Sequence, residues 1–140
     1  MRRAALLGCL MIVLLGAFVG CRTAPIASIQ DEKLWTDGAT SLEDAAEAIW
    51  RAGRKVGWNI ESVAPGELRG TLHMRMHVAV VRITHDESHF SIRYESSENL
   101  LQSGNLIHRN FNAWLRSLAD QIEREPVRCC ASLTQGERAP

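Results

Sequence analysis

Residues 58–94 decide the fold, and they read WNIESVAPGELRGTLHMRMHVAVVRITHDESHFSIRY. Apolar and polar residues alternate over much of this stretch, which is the two-residue period of a β-strand with one buried face. Residues 64–67 break the alternation with proline and glycine at the positions that a type II turn requires. Residues 85–88 form a second polar connection. The stretch therefore predicts three consecutive strands joined as an antiparallel meander.

The middle strand of this meander is predicted to start at residue 68 and to continue past residue 80. Its core face carries the apolar residues Leu68, Leu72, Met74, Met76, Val78 and Val80. Its opposite face carries Arg69, Thr71, His73, Arg75 and His77. The apolar phase changes at residue 81, where Val81 and Ile83 carry the apolar character. This change predicts either a β-bulge there or burial on both faces of the strand.

The pattern His-Met-Arg-Met-His over residues 73–77 contains residue types that bind copper or silver, but a strand would separate them. Met and His side chains would point to opposite faces. His73 and His77 would lie about 13 Å apart along the strand, too far for metal–nitrogen bonds of about 2 Å to one ion. The sequence therefore predicts no metal site. A second pair, His85 and His89, flanks the polar loop and is interpreted as ordinary turn chemistry.

Two amphipathic helices are predicted on either side of the meander. Thr40 and Glu43 form a capping-box pattern, and apolar residues then recur at helical spacing up to Gly57. The second helix is predicted over residues 109–125 and stops at Pro126, because proline cannot continue a helix. The apolar stripes are Leu42, Ala45, Ala46, Ile49, Trp50, Gly53 and Val56 in the first helix and Phe111, Trp114, Leu115, Leu118 and Ile122 in the second.

The order helix, three strands, helix predicts an α+β fold. Short connections favour an antiparallel meander, and both helices must bury their apolar stripes. A two-layer αβββα sandwich meets both needs, with the two helices on one face of the sheet. The opposite face would carry polar side chains, among them Arg75 and Arg93, and would be open to solvent.

The N-terminal residues have the composition of a secretory signal. Arg2 and Arg3 precede an uncharged apolar run, residues 4–20, and Cys21 follows directly. The string AFVGC at residues 17–21 resembles the lipobox of bacterial lipoproteins. This resemblance implies cleavage before Cys21, diacylation of its thiol and anchoring in a membrane.

Arg22 stands where lipoproteins retained at the inner membrane carry Asp, so the resemblance implies the outer membrane, facing the periplasm. The alternative is an uncleaved helix over the same apolar run, which would span about 26 Å against a hydrocarbon core of about 30 Å. The chain is predicted to comprise a signal peptide (residues 1–20), the lipidated Cys21 with a flexible tether (21–40), one α+β domain (41–126) and a flexible tail (127–140).

Four polar residues around the second helix are candidate ligand contacts. Residues 94–100 and 107–114 resemble small bacterial envelope lipoproteins of unknown function, in which Asn, His, Asn and Trp occur in this order. The candidates are Tyr94, Asn99, His108 and Asn112. They either converge on a ligand or satisfy backbone groups of the loop and the helix start. Both interpretations stay open from the sequence.

The charge balance gives no indication of a nucleic-acid partner, because sixteen Lys and Arg residues balance sixteen Asp and Glu residues. Short motifs of hydrolases, zinc proteases, phosphate loops and dinucleotide sites do not occur, so an enzyme is not favoured and no cofactor is predicted. The favoured function is a lipid-anchored envelope module that binds another envelope protein. The alternative is a periplasmic protein that binds a small ligand or a metal ion.

Overall fold

The computed structural model describes residues 22–38 and 40–128. In chain order the elements are β1 (Thr23–Pro25), β2 (Ile29–Lys33), α1 (Leu42–Lys55), β3 (Trp58–Ala64), β4 (Glu67–Met74), β5 (His77–His85), β6 (His89–Glu98), β7 (Leu106–His108) and α2 (Arg109–Arg124). The predicted signal peptide, Cys21 and most of the predicted tail lie outside the described residues. Within the described ranges, no helix is long and apolar enough to cross a bilayer.

The strands of the described residues form two antiparallel sheets. The larger sheet has five strands in the order β2-β6-β5-β4-β3, and the smaller one pairs β1 with β7. The predicted αβββα sandwich is therefore wrong. The large sheet has five strands rather than three for two reasons. A turn divides the predicted middle strand into β4 and β5, and the predicted tether contributes β2.

The predicted middle strand is two strands joined by a tight turn at Arg75 and Met76. β4 ends at Met74, β5 begins at His77, and these two residues pair directly. Arg75 adopts a φ of 58°, a conformation that residues with side chains seldom adopt. Neither turn residue is a glycine, asparagine or proline, and residues 78–81 are apolar at every position. The alternation therefore shows only a change of phase at residue 81, beyond the turn, and does not locate the break itself.

The turn changes which residues of β5 face the core. Ala79 and Val81 are fully buried, whereas the prediction placed Val78 and Val80 inside and reached the observed phase only at Val81. Met74 and Met76 are 41% and 78% exposed, so their predicted core role is wrong. The predicted bulge in this strand is wrong: β5 alternates without a break, and the register shift beside Val80 comes from an extra residue in β6.

The predicted tether and the start of the predicted tail belong to the domain. β2 adds to the sheet beside β6, with Ile29 opposite Ile92, and Leu34 behind it is buried. The N–H of Val127 donates to the carbonyl of Trp35 at 2.9 Å, and Val127 is itself buried. The predicted boundaries at residues 41 and 126 are therefore wrong. β2 has the sequence IQDEK, and this mostly polar string lacks the alternation of apolar residues that would predict a strand.

The two helices lie where their apolar periods predict them, on the same face of the five-stranded sheet. The cap of α1 is one residue later than predicted. The hydroxyl of Ser41 accepts from the N–H of Asp44 at 3.1 Å, and the Asp44 carboxylate accepts from the Ser41 N–H at 3.0 Å. The fully buried helix residues are Ala45, Ala48, Ile49, Ala52, Phe111, Leu115, Leu118 and Ile122.

A cluster of charges around the buried Glu125 joins α1 to the chain that leaves α2. The Glu125 carboxylate lies 2.6 Å from Nζ of Lys55 and 3.2 Å from Nε of Arg51. Burial by itself would raise the pKa of Glu125, but the hydrogen bonds and charges of both cations outweigh it and hold the pKa below its ordinary value. Arg51 also donates to the carbonyl of Pro126 at 2.9 Å. The cluster therefore fixes the direction in which the chain leaves α2.

We expect Leu34→Ala to destabilise the protein by about 2–5 kcal/mol, because a buried leucine would leave a cavity. Urea unfolding followed by circular dichroism measures the free energy. Leu106→Ala is the matched control, since Leu106 is 45% exposed and should cost less than about 1 kcal/mol. Equal losses for both variants would mean that the segment after β2 does not pack into the core.

Candidate functional site

The four predicted contact residues do not form one pocket, because the fold places them in separate environments. Tyr94 lies partly buried in β6. Its hydroxyl is hydrogen-bonded to the hydroxyl of Ser97 at 3.0 Å. Its ring meets Phe111 of α2 edge-on, with 5.5 Å between the ring centroids. Tyr94 therefore joins the sheet to the second helix.

Asn112, on the buried side of α2, hydrogen-bonds the N-terminal segment. Its Oδ1 accepts from the N–H of Ala27 at 3.0 Å, and its Nδ2 donates to the carbonyl of Pro25 at 2.8 Å. The side chain is buried together with these bonds. One amide thus satisfies a donor and an acceptor where the chain bends from β1 towards β2. The sequence left two roles open for Asn112, contact with a ligand and hydrogen bonding to the backbone. The geometry supports the second.

Asn99 and His108 meet at the end of the sheet that holds the β4–β5 turn, and His77 lies between them. Nδ2 of Asn99 donates to the carbonyl of Met76 at 2.7 Å. Nδ1 of His77 donates to the carbonyl of Asn99, also at 2.7 Å. The rings of His77 and His108 stack with 6.4 Å between their centroids. These contacts tie the turn to the loop that follows β6.

His108 caps the start of α2, close to where the sequence places it. Its Nδ1 accepts from the N–H of Asn110 at 3.2 Å. His77 was assigned by the sequence to the solvent face, in a row with His73 and Arg75. That row is wrong, because Arg75 lies in the turn and the turn reverses the face on which His77 lies. Asn99 and His108 are connected through His77, and the face on which His77 lies depends on the turn at Arg75. No glycine, asparagine or proline marks that turn in the sequence.

The face of the large sheet turned away from the helices is open and polar, as predicted. Its side chains alternate with the buried residues of each strand. They include Arg69, Thr71, His73, Arg82, Thr84, Ser91, Arg93 and Glu95. Arg82 was not among the residues predicted for this face.

Three arginines form a row across the middle of this open face. Arg82 pairs with Arg69 on one side and with Arg93 on the other. Like charges on directly opposed residues repel, and two glutamates offset part of this repulsion. Glu95 lies 3.0 Å from Arg69 and 3.6 Å from Arg82, and Glu67 lies 3.0 Å from Arg82. Two of the three guanidinium groups therefore have carboxylate partners.

Arg93 is the arginine of this row that forms no ion pair within residues 22–38 and 40–128. It is exposed, and its neighbour across the strands is the cation of Arg82. A guanidinium group presents five donors in a planar fork that matches a carboxylate. Arg93 is therefore the position on the open face best prepared to receive an anionic group.

A groove of about 420 Å³ lies between the start of α1 and the β3–β4 turn, and His85 is part of its wall. Its apolar lining consists of Leu42, Ala46, Val63, Ala64, Pro65 and Leu68. Nδ1 of His85 donates to the carbonyl of Asp86 at 3.2 Å, while its buried Nε2 has no partner in the described part of the chain. Burial lowers the pKa of His85, against the opposing effect of Asp86. A neutral ring with Nε2 as acceptor is therefore favoured.

The loop between β5 and β6 shows ordinary turn chemistry, as predicted. Oδ1 of Asp86 accepts from the N–H groups of Ser88 and His89 at 2.7 Å each. These two bonds lower the pKa of Asp86. Across the residues that the structure describes, no group of three or more side chains is arranged to hold a metal ion.

Comparisons with known proteins place the chain in no family. No protein-family model, no curated protein and no solved structure matches it. The case for a function therefore rests on the sequence and on the geometry of the domain.

We expect Asn112→Ala to destabilise the protein by about 2–4 kcal/mol, because it leaves the Ala27 N–H and the Pro25 carbonyl without their buried partner. Asn110→Ala is the matched control, since Asn110 is exposed in the first turn of the same helix. Both free energies come from urea unfolding. A loss below about 0.5 kcal/mol for Asn112→Ala would contradict the structural role.

Proposed function

We propose that the chain is a lipid-anchored protein of the cell envelope whose domain binds another envelope protein through the open face of its five-stranded sheet. The observation that carries the binding role is Arg93, exposed and without an ion pair among the described residues, at the end of a row of three arginines. The lipobox-like residues 17–21 support the anchor. Arg22 supports a destination at the outer membrane, on the periplasmic side.

The open face is suited to a protein partner because it is broad, ordered and polar. Four of the five strands pair over most of their length across it, so its side chains are held at defined spacing. Arg69 and Arg82 are already oriented by Glu95 and Glu67. Oriented side chains lose less conformational entropy on binding than free ones do.

The charge on this face indicates the chemistry of the partner. Arg93 lies beside the cation of Arg82, and a carboxylate from a partner would relieve that repulsion. A planar guanidinium can bind a carboxylate through two parallel hydrogen bonds, which fixes orientation as well as adding affinity. The proposed partner therefore presents an Asp or Glu side chain within an otherwise polar surface.

The groove beside His85 supports a second candidate function, the binding of a small ligand. It combines an apolar lining with one buried acceptor, Nε2 of His85, that lacks a partner in the described residues. Ligand sites commonly combine apolar walls with a few oriented polar groups. A ligand for this groove would be small and mainly apolar, with one hydrogen-bond donor.

The anchor is tested by Cys21→Ser. We expect the wild-type chain to fractionate with membranes and its Cys21 to carry lipid in a mass spectrum, because two acyl chains on one residue give stable membrane binding. Cys21→Ser should carry no lipid and should keep residues 1–20, because the lipoprotein-specific route then cannot cleave the signal. The variant with Cys129→Ser and Cys130→Ser is the matched control and should stay lipidated and cleaved. An unmodified Cys21 in the wild-type protein would exclude the lipoprotein.

Binding through the open face is tested by Arg93→Glu. In photo-crosslinking of the full-length protein in envelope membranes, we expect the wild-type chain to give a defined protein adduct. Arg93→Glu should reduce its yield at least about tenfold, because a repulsive charge replaces an attractive one. Arg116→Glu, on the exposed side of α2, is the matched control and should keep the adduct. Equal yields from both variants would exclude the open face.

A further inference from the structure

The first described residue, Arg22, lies at one end of the domain. The carbonyl of Arg22 accepts from the N–H of Arg109 at 3.0 Å, and Thr23 pairs with His108. Arg22 is therefore held directly against the start of α2. We call this part of the molecule the Arg22 end; it comprises Arg22, the turn 74–77, the loop 99–101 and residues 108–109.

The parts of the Arg22 end are joined by the contacts around His77. The ring of His77 stacks on His108, which pairs with the strand after Arg22. His77 also donates to the carbonyl of Asn99, and Asn99 donates to the carbonyl of Met76. The turn, the loop and the first described residues, Arg22 and Thr23, thus form one connected surface.

This surface exposes large apolar side chains. Met76 is 78% exposed, Leu101 is 58% exposed and Met74 is 41% exposed. Single exposed apolar residues are common, but several on one connected surface mark a place of contact with a protein or a membrane.

The backbone at this end is strained as well as exposed. Arg75, Asn99 and Leu101 all have positive φ values, of 58°, 56° and 53°. Asparagine tolerates this conformation, whereas it is unfavourable for most other L-residues. Leu101 bears this cost without burying its side chain in the domain. Strain of this kind clusters at surfaces where a contact outside the fold makes use of it.

The charges of the domain differ between its two ends. The Arg22 end carries the exposed cations of Arg22, Arg75 and Arg109, and the first turn of α2 contains no acidic residue. Glu98, the last residue of β6, is the carboxylate that adjoins this surface in sequence. The positive end of the α2 dipole adds to the local field.

The opposite end of the sheet is acidic. It holds the β5–β6 loop with Asp86 and Glu87, and Thr40 donates to the carbonyl of Glu87 at 2.8 Å, which brings the start of α1 with Glu43 to the same place. Lys33 is the basic residue beside this loop, through its pairing with His89. An anionic surface would therefore attract the Arg22 end and repel the opposite one.

We propose that the Arg22 end rests on an anionic lipid surface, with Met76 and Leu101 among the headgroups and the three arginines at the phosphates. This proposal rests on the proposed lipid anchor. Residue 21 is bonded to Arg22, and consecutive Cα atoms are about 3.8 Å apart. Because Arg22 is already hydrogen-bonded into the domain, lipid on Cys21 leaves no tether between the membrane and this surface.

The experiment measures hydrogen peroxide oxidation of Met74 and Met76 in the full-length, lipidated protein. The purified protein is reconstituted in vesicles of phosphatidylethanolamine and phosphatidylglycerol, and sulfoxide formation is followed for each methionine by mass spectrometry. Flotation of the vesicles shows whether the protein is anchored. Val63→Met supplies a matched internal control, because Val63 is 48% exposed on β3, away from the Arg22 end.

We expect oxidation of Met76 to be at least about fivefold slower on these vesicles than in an unlipidated reference in solution, because lipid headgroups shield the side chain. The reference is the chain that carries Cys21→Ser and lacks residues 1–20. The methionine that Val63→Met introduces should oxidise at the same rate in both samples. In phosphatidylcholine vesicles the protection of Met76 should fall at least about twofold, because the anionic headgroups are missing.

The outcomes separate this proposal from the anchor. If the protein floats with the vesicles but Met76 oxidises as fast as in solution, the orientation is wrong and the anchor stands. Equal protection of residue 63 and Met76 would also overturn the orientation, since the shielding would not be confined to one end. If the protein does not float, the anchor and the orientation both fail. Equal protection in anionic and phosphatidylcholine vesicles would overturn the role of the arginines.

Discussion

The side-chain amide of Asn112 is the contact on which the arrangement of the N-terminal strands depends. It links α2 to the Pro25 carbonyl and the Ala27 N–H, at the bend between β1 and β2. That bend allows β1 to pair with β7 and β2 to pair with β6. Without β2, the long strand β6 would be an open edge of the sheet, and unpaired edges promote association with other chains. One buried hydrogen-bonding group therefore helps to cover the edge of β6 as well as to place Arg22.

The parts of the fold that the sequence predicts are those that depend on local pattern. Both helices follow an apolar period, and the turn at Pro65 and Gly66 follows from residues that favour it; Gly66 has a φ of 75°. The division between β4 and β5 was missed, because Arg75 takes a left-handed conformation with no glycine to signal it. β2 was missed because its strand character comes from its partner β6 and from Asn112, both distant in the chain.

The candidate residues show the same division. His108 could be placed at the start of α2 from the sequence, since a helix boundary is a local property. Its stacking on His77 could not, because it depends on the turn at Arg75. Arg93 was assigned to the open face from the alternation of β6 alone. Its place beside Arg82 follows from the register between strands, which single-strand periodicity does not contain.

The two proposed contacts of the domain are compatible because they use different directions of one sheet. The Arg22 end lies at the tips of β4 and β5, so a membrane there would meet the strands end-on. The row of Arg69, Arg82 and Arg93 lies on the flat of the sheet, further along the same strands. A domain anchored at Arg22 with no tether has little freedom to reorient. The fold itself would then hold the open face of the sheet roughly perpendicular to the membrane plane. In this orientation the face would be accessible to neighbouring envelope proteins and would not face the bilayer.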